Sequence, residues 1–317
     1  MKVIVTTPYG RDSLQGNTVT AQRVVSILEE SGVDAMMLCM GEEVQGADVM
    51  IALHARKSAH YVADFRELNP EGKVIVYLTG TDLYEDIPGG CLVCKESMEQ
   101  ADGLVVSQEA SLRSVPKEFL AKTEVVYPSI ELPEDLSGDC ETESDLFLLV
   151  GHMRAVKQPF MAVEALQLLD DSVRLVLLGN EVDSGMGAMA KEWQGRDPRF
   201  EWLGGLGYVE TLRWMRRSVV TMNTSLMEGG SNSVGESIVL GVPVLATRIE
   251  GNVGMLGADY EGYFEVGDAQ GLSDLMCKVL NEPCFLERLR GQVRVRGERF
   301  SRKNEASGWM NLIQRIV

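Results

Sequence analysis

Glu228 and Glu236 stand eight residues apart in the stretch "EGGSNSVGE". Between them lie the paired glycines Gly229 and Gly230, then Ser231, Asn232 and Ser233. Glycine lets a backbone approach a ligand closely. The first N–H groups of a helix suit phosphate. A carboxylate is a poor phosphate ligand but a good acceptor for sugar hydroxyls. The local alternative is a plain helix start: Ser233-Val-Gly-Glu236 matches the S-x-x-E capping box, which predicts Ser233 as the cap. A capping box leaves Glu228 and the paired glycines unexplained.

Other polar residues fall just after apolar runs. Arg154 and Lys157 in "VGHMRAVKQP" precede Pro159, the expected first helical residue. Two cations beside a helix N-terminus fit a diphosphate through charge-assisted hydrogen bonds; surface charge beside a helix is the alternative. His54, Arg56 and Lys57 cluster in "HARKS". Cations oppose the dipole at a helix start, so an anionic ligand competes with a solvated helix start as the explanation. Thr79, Thr81 and Asp82 in "LTGTDLY" either line the same mouth or form a capping turn. Gly16 and Asn17 precede the first helix. Asn17 is a candidate N-cap, with free N–H groups behind it suited to an anion.

These residues need elements to hold them. "KVIVTTP", "VDAMMLCM", "ADVMIALHA", "KVIVYLTG", "ADGLVVSQ" and "TEVVYPS" read as buried strands. Ala21, Val24, Val25 and Leu28 share one helical face. "KSAHYVADFRELN" and "EASLRSVPKEFL" supply further helices. Residues 130–145 are acidic and poor in apolar side chains, and read as a linker. The alternation then restarts with "LFLLVGHM", "VRLVLLGN", "RFEWLGGL", "VVTMNTS", "VPVLATRI" and "YFEVGD". Helical faces appear at Ala162, Ala165, Leu166 and Leu169, and again at Trp309, Leu312, Ile313 and Ile316. Apolar strands alternating with helices predict parallel sheets covered on both faces. The expected architecture is α/β, with two doubly wound domains, 1–137 and 138–317, whose strand ends face a central cleft. The pattern leaves two places open for the last helix, against the second domain or back on the first.

The bulk composition excludes several classes. A length of 317 residues suits two domains. A formal charge of −17 argues against nucleic acid or an anionic membrane as partner. No apolar run approaches a membrane span, and the start "MKVIVTTPYG" lacks a signal-peptide core. A soluble cytoplasmic protein is expected. Among the six cysteines only Cys91 and Cys94 have ligand-like spacing, and one such pair reads as ordinary thiols. "GMGAMA" fits a dinucleotide fingerprint but starts too far after its strand. Asp-x-Asp, a common metal-binding element, does not occur. The expectation is therefore a metal-independent site in which Arg and Lys meet leaving-group charge. A non-catalytic nucleotide-sugar binder is a weaker alternative.

With these motifs in view, the second half resembles the retaining glycosyltransferases of family 4, which have the GT-B fold. Their E-x7-E element is similar to Glu228 and Glu236. Their Arg/Lys pair is similar to Arg154 and Lys157. "GVPVLATRIEGN" is similar to the strand that follows. The ordered set "GNTVTA", "ALHARKS", "LTGTDLY", "VGHMRAVKQP", "MEGGSN" and "GNVGMLGADYEGYF" further resembles the selenosugar synthases of selenoneine biosynthesis. That resemblance implies joining selenophosphate to a UDP-sugar, typically UDP-N-acetylglucosamine, with no cofactor. Arg154 and Lys157 would neutralise the diphosphate. Glu236 would hold the ribose. Glu228, Gly229, Gly230, Ser231, Asn232 and Ser233 would line the sugar and its phosphate. His54 would lie near the donor sugar. By position and charge, Gly16, Asn17, Arg56, Lys57, Thr81 and Asp82 would receive the acceptor. The alternative is an ordinary family 4 enzyme with a hydroxyl acceptor.

Overall fold

The computed structural model describes residues 1–13, 16–136, 141–169 and 173–317. The expected domain boundary at 137/138 and Cys140 lie outside the described residues. The chain forms two compact units, one of Met1–Ser129 with Arg299–Val317, the other of Ile130–Glu298.

The first unit runs β1 (Lys2–Thr6), α1 (Gly16–Glu30), β2 (Asp34–Leu38), β3 (Val49–Leu53), α2 (Ala59–Leu68), β4 (Lys73–Tyr77), α3 (Leu92–Gln100), β5 (Gly103–Val106) and β6 (Thr123–Val125). All pairings are parallel, in the order β2-β1-β3-β4-β5-β6. Val3 and Val5 of β1 face one core with Ala21, Val24 and Leu28 of α1. Ile4 faces the other with Tyr61, Val62 and Phe65 of α2. This alternation across one strand is what a sheet covered on both faces requires.

The second unit runs β7 (Glu143–Val150), α4 (Met161–Gln167), β8 (Arg174–Leu178), α5 (Met186–Arg196), β9 (Phe200–Gly204), α6 (Tyr208–Arg217), β10 (Ser218–Asn223), α7 (Asn232–Leu240), β11 (Val244–Thr247), α8 (Glu250–Leu256), β12 (Tyr263–Phe264), α9 (Ala269–Asn281) and α10 (Pro283–Gly297). Its sheet is also parallel, in the order β12-β11-β10-β7-β8-β9. The final helix, α11 (Arg302–Ile316), belongs to the first unit. It buries Trp309, Leu312 and Ile313 there. Arg23 pairs with its Glu305 at 3.1 Å, and Arg302 with Glu30.

Some local expectations fail for physical reasons. The predicted helix over "EASLRSVPKEFL" is instead two 3-10 turns, Glu109–Arg113 and Lys117–Lys122. Pro116 lies between them and has no N–H to continue a helix. The acidic linker ends early, because Glu143–Val150 is already strand. Asn17 does not cap α1; Gly16 before it is already helical, so Asn17 lies inside the helix.

Candidate functional site

Each sheet reverses its strand order at one point, and ligands of open α/β sheets bind outside the carboxyl ends of the strands there. In the second unit the switch falls between β7 and β10. The loops that leave those two strands carry Arg154 with Lys157, and Glu228 with the paired glycines. In the first unit it falls between β1 and β3. The loops there carry Tyr9, and His54 with Arg56 and Lys57.

The loop after β7 is built from turns. A parallel bridge ties Met153 to Glu181. A 3-10 turn, Ala155–Lys157, follows Arg154. Gln158 then adopts a left-handed conformation, φ 42°. That turn delays α4 to Met161, so Pro159 is not the first helical residue as expected. Arg154 is exposed and its side chain pairs with no described residue. Lys157 is ion-paired with Glu228. Thr224 Oγ1 donates to the Lys157 carbonyl at 2.7 Å, which joins the two loops a second time.

Beneath "EGGSN" lies a polar lattice. Glu228 Oε1 also accepts from Ser225 Oγ at 2.7 Å and Asn223 Nδ2 at 3.4 Å. Asn223 Nδ2 reaches Ser231 Oγ at 3.3 Å. Asn252, fully buried at the start of α8, donates to Asn223 Oδ1 at 3.1 Å and to the Thr247 carbonyl at 2.9 Å. Thr247 Oγ1 donates to the Ser225 carbonyl at 2.7 Å. Gly251 is required by contact: a Cβ there would stand 2.1 Å from the Glu228 carbonyl oxygen. The loop is therefore seated on the first turn of α8. Asn223, Ser225, Thr247 and Asn252 were not singled out from the sequence. Their signal was present, since all four sit at or just past the carboxyl ends of strands.

The capping expectation is corrected. Helix α7 is capped at Ser231, not Ser233, and the Ser231 side chain makes no bond to its first N–H groups. Ser233 lies inside the helix and its Oγ is 3.1 Å from that of Ser231. Glu236 is then the fifth helical residue, too far along to reach back to the cap. Its carboxyl is half-buried and meets no donor among the described residues. Burial alone pushes it up to about 7. Gly229 and Gly230 are half-buried and Asn232 is exposed at the same helix start.

In the first unit Asp82 is fully buried. Its Oδ2 accepts from the Ala55 N–H at 2.8 Å. Its Oδ1 accepts from the Thr79 N–H and hydroxyl at 2.8 and 2.9 Å and from the Leu83 N–H at 3.1 Å. Asp82 thus ties the β3 and β4 loops together from inside, while Thr81 beside it stays half-buried. It also starts a π-helical turn, Asp82–Asp86, a distortion frequent at functional sites. His54 is left-handed, φ 76°, and buried. Its Nδ1 accepts from the Lys57 N–H at 3.4 Å, which places the proton on Nε2. That Nε2 has no partner among the described residues. Burial lowers the imidazole pKa, against the pull of Asp82 at 3.7 Å. Arg56 is neutralised by Asp86 at 2.8 Å. Lys57 pairs with no carboxylate among the described residues; its Nζ donates to Tyr9 Oη at 2.7 Å. Gly16 and Asn17 open α1 and lie outside these contacts.

Among the described residues no three His, Cys, Asp or Glu side chains converge as metal ligands would. Among the described residues no helix is long and apolar enough to cross a membrane. Cys91 and Cys94 are free thiols at the start of α3.

The fold has many solved relatives. HepE of Anabaena, solved in complex with UDP and glucose, is 12% identical with a TM-score of 0.77, over 99% of this chain and 100% of that one. Sucrose-phosphate synthase of Thermosynechococcus elongatus is 14% identical with a TM-score of 0.79, over 99% and 98%. The lipopolysaccharide outer core galactosyltransferase WaaB is 13% identical with a TM-score of 0.74, over the whole of both chains. These likenesses establish the GT-B fold. The family model of glycosyl transferases group 1 matches residues 138–296. That match covers half of the chain and includes both switch-point loops of the second unit, and with it the chain belongs to the group 1 glycosyl transferases.

Proposed function

We propose that the protein transfers a sugar from a UDP-sugar to an acceptor without a metal ion. The observation that carries this reading is Glu236. A half-buried carboxylate that meets no donor among the described residues is unfavourable. A pair of ribose hydroxyls would supply the missing donors. Arg154 and Lys157 would then meet the diphosphate, with the uncapped N–H groups at the start of α7 beside them. Glu228 would exchange Lys157 for a sugar hydroxyl as the donor binds. As the bond from C1 to the UDP oxygen breaks, the cations take up the charge that develops on UDP.

Two acceptors fit. Family membership supports a hydroxyl acceptor, and the neutralised Arg56 and neutral His54 agree with it. The finer reading is selenophosphate. It is supported by the ordered resemblance of six segments and by Lys57, a cation held by a tyrosine hydroxyl instead of a carboxylate. In that reaction selenium bonds to C1 as UDP leaves, and water then cleaves the selenium–phosphorus bond to release phosphate. A soft anionic nucleophile needs positioning and charge neutralisation more than a base.

The test is mass spectrometry of products from UDP-N-acetylglucosamine, UDP-glucose and UDP-galactose, each with selenophosphate and with sugar acceptors. A selenium–carbon product supports the finer reading. A glycoside formed from a hydroxyl acceptor alone replaces it. Absence of any UDP release overturns both.

A further inference from the structure

Helix α3 connects β4 to β5, which pair in parallel, so Cys91-Leu-Val-Cys94 stands at the helix start of a βαβ unit. In such a unit that spacing also serves thiol–disulfide chemistry. The fold adds geometry to the spacing. Cys91 is the N-cap of α3 and Cys94 is its third helical residue. Residues three apart on a helix are neighbours, and the Cys91 and Cys94 thiols hydrogen-bond to each other. Both are reduced.

The two sulfurs differ in access. Cys94 is fully buried, whereas Cys91 is half-buried and Leu92 and Val93 between them are exposed. A small reagent therefore meets Cys91 first. Burial pushes the Cys94 thiol up, which keeps it protonated until a partner sulfur is beside it. The pair is also tied to the loop after β3. The Cys91 N–H donates to the Asp86 carbonyl at 2.9 Å, and Asp86 Oδ2 accepts from Arg56 Nε at 2.8 Å. Ser97 Oγ, further along α3, donates to the Ala55 carbonyl at 2.8 Å. The start of α3 thus braces Ala55 and Arg56 from two sides.

We propose that Cys91 and Cys94 form a thiol–disulfide exchange site that takes a small-molecule disulfide. The Cys91 sulfur, as thiolate, attacks one sulfur of the disulfide. A bond forms between those two sulfurs, and the other half leaves as a thiol with the Cys91 proton. Cys94 then attacks the Cys91 sulfur, closes the Cys91–Cys94 bond and releases the second half with its own proton. Two protein thiols are oxidised by two electrons, and one small disulfide is reduced to two thiols. Closing the bond draws Cys91 toward Cys94. Because the Cys91 N–H holds Asp86, the displacement reaches Arg56.

Oxidised glutathione is the probe. The unmodified full chain is equilibrated in glutathione buffers of graded redox ratio, alkylated and read by peptide mass spectrometry. The peptide that holds Cys91 and Cys94 should lose two hydrogens and its alkylation at ratios that leave the exposed Cys284 alkylated. Cys94→Ser should stop the reaction at the mixed disulfide, so glutathione stays on Cys91 where the unmodified chain has lost it. Cys91→Ser should leave the buried Cys94 unmodified. A Cys91–Cys94 bond that forms no sooner than Cys284 reacts overturns the proposal, as does a bond from either cysteine to another cysteine of the chain. Hydrogen exchange of the reduced and oxidised unmodified protein should differ at residues 55–58 and 82–91. Equal exchange there contradicts the link to Arg56.

Discussion

Lys157 is ion-paired to Glu228 across 71 residues of chain, and the same carboxylate oxygen accepts from Ser225 and Asn223. One contact therefore joins the loops after β7 and β10 at the sheet's switch point. Lys157→Ala leaves Glu228, only 11% exposed, with its hydroxyl and amide donors but no counter-charge. Stability should fall by about 1–2 kcal/mol by urea denaturation. Turnover of a UDP-sugar should fall about a hundredfold, as for the loss of one charge-stabilising donor. Lys157→Arg should recover most of the stability and part of the rate. Equal rates for all three proteins would remove Lys157 from the chemistry.

Glu236 makes the ligand-free protein sensitive to pH. Its carboxyl sits at about 7 in the folded chain against an ordinary value of 4.5. Between those limits the folded state binds more protons than the unfolded state, so stability falls as pH rises. The contribution is full below 4.5 and is lost as pH passes through about 7. Glu236→Gln should flatten that slope in denaturation curves taken from pH 4 to 8. UDP should act in the opposite sense. Ribose hydroxyls favour the ionised carboxylate, so UDP affinity should rise with pH and binding should release a proton near neutrality. Calorimetry in two buffers of different ionisation heat measures that proton. No release means that Glu236 does not meet the ribose.

Gly251 tests the seat of the loop. Gly251→Ala places a methyl 2.1 Å from the Glu228 carbonyl oxygen. Backbone must move, at a cost of about 1–3 kcal/mol. UDP-sugar turnover should fall more than UDP binding, because the displaced residue is Glu228 and not Glu236. Unchanged turnover would mean that the loop tolerates displacement.

Lys57 separates the acceptors. Lys57→Ala should raise the KM for an anionic acceptor about tenfold, through loss of one charge-assisted bond. UDP affinity should stay unchanged. With a hydroxyl acceptor kcat/KM should hold within about twofold by the same argument. Asp82→Asn is the structural contrast. It puts an amide where two N–H groups and a hydroxyl converge on one oxygen, so melting temperature should drop along with activity for every acceptor.

The sequence carried the fold well, because runs such as "KVIVY" and "LFLLV" have the apolar continuity of strands buried on both faces. It also placed Glu228, Glu236, Arg154 and Lys157 at strand ends. Local pattern does not choose between Ser231 and Ser233 as the cap, since both are serines; in the fold Ser231 Oγ accepts from Asn223 instead of capping. Nor could it pair Asn223 with Asn252, whose bond spans 29 residues and follows from the adjacency of β10 and β11. The position of Asp82 predicts an acceptor-binding group, but its oxygens turn inward because three backbone N–H groups need them. Arg56 is neutralised by Asp86, which lies on a π-helical turn that no periodicity in the sequence announces.

The central claim is UDP-sugar-dependent transfer from the β7–β10 switch point. Its most direct measurement is UDP release from UDP-N-acetylglucosamine with selenophosphate or a hydroxyl acceptor, beside the Glu236→Ala and Lys157→Ala variants. Acceptor-dependent UDP release by the unmodified protein, with matching sugar product and at least about a hundredfold loss in each variant, is predicted. Release that is absent with every donor, or unchanged in both variants, would contradict it.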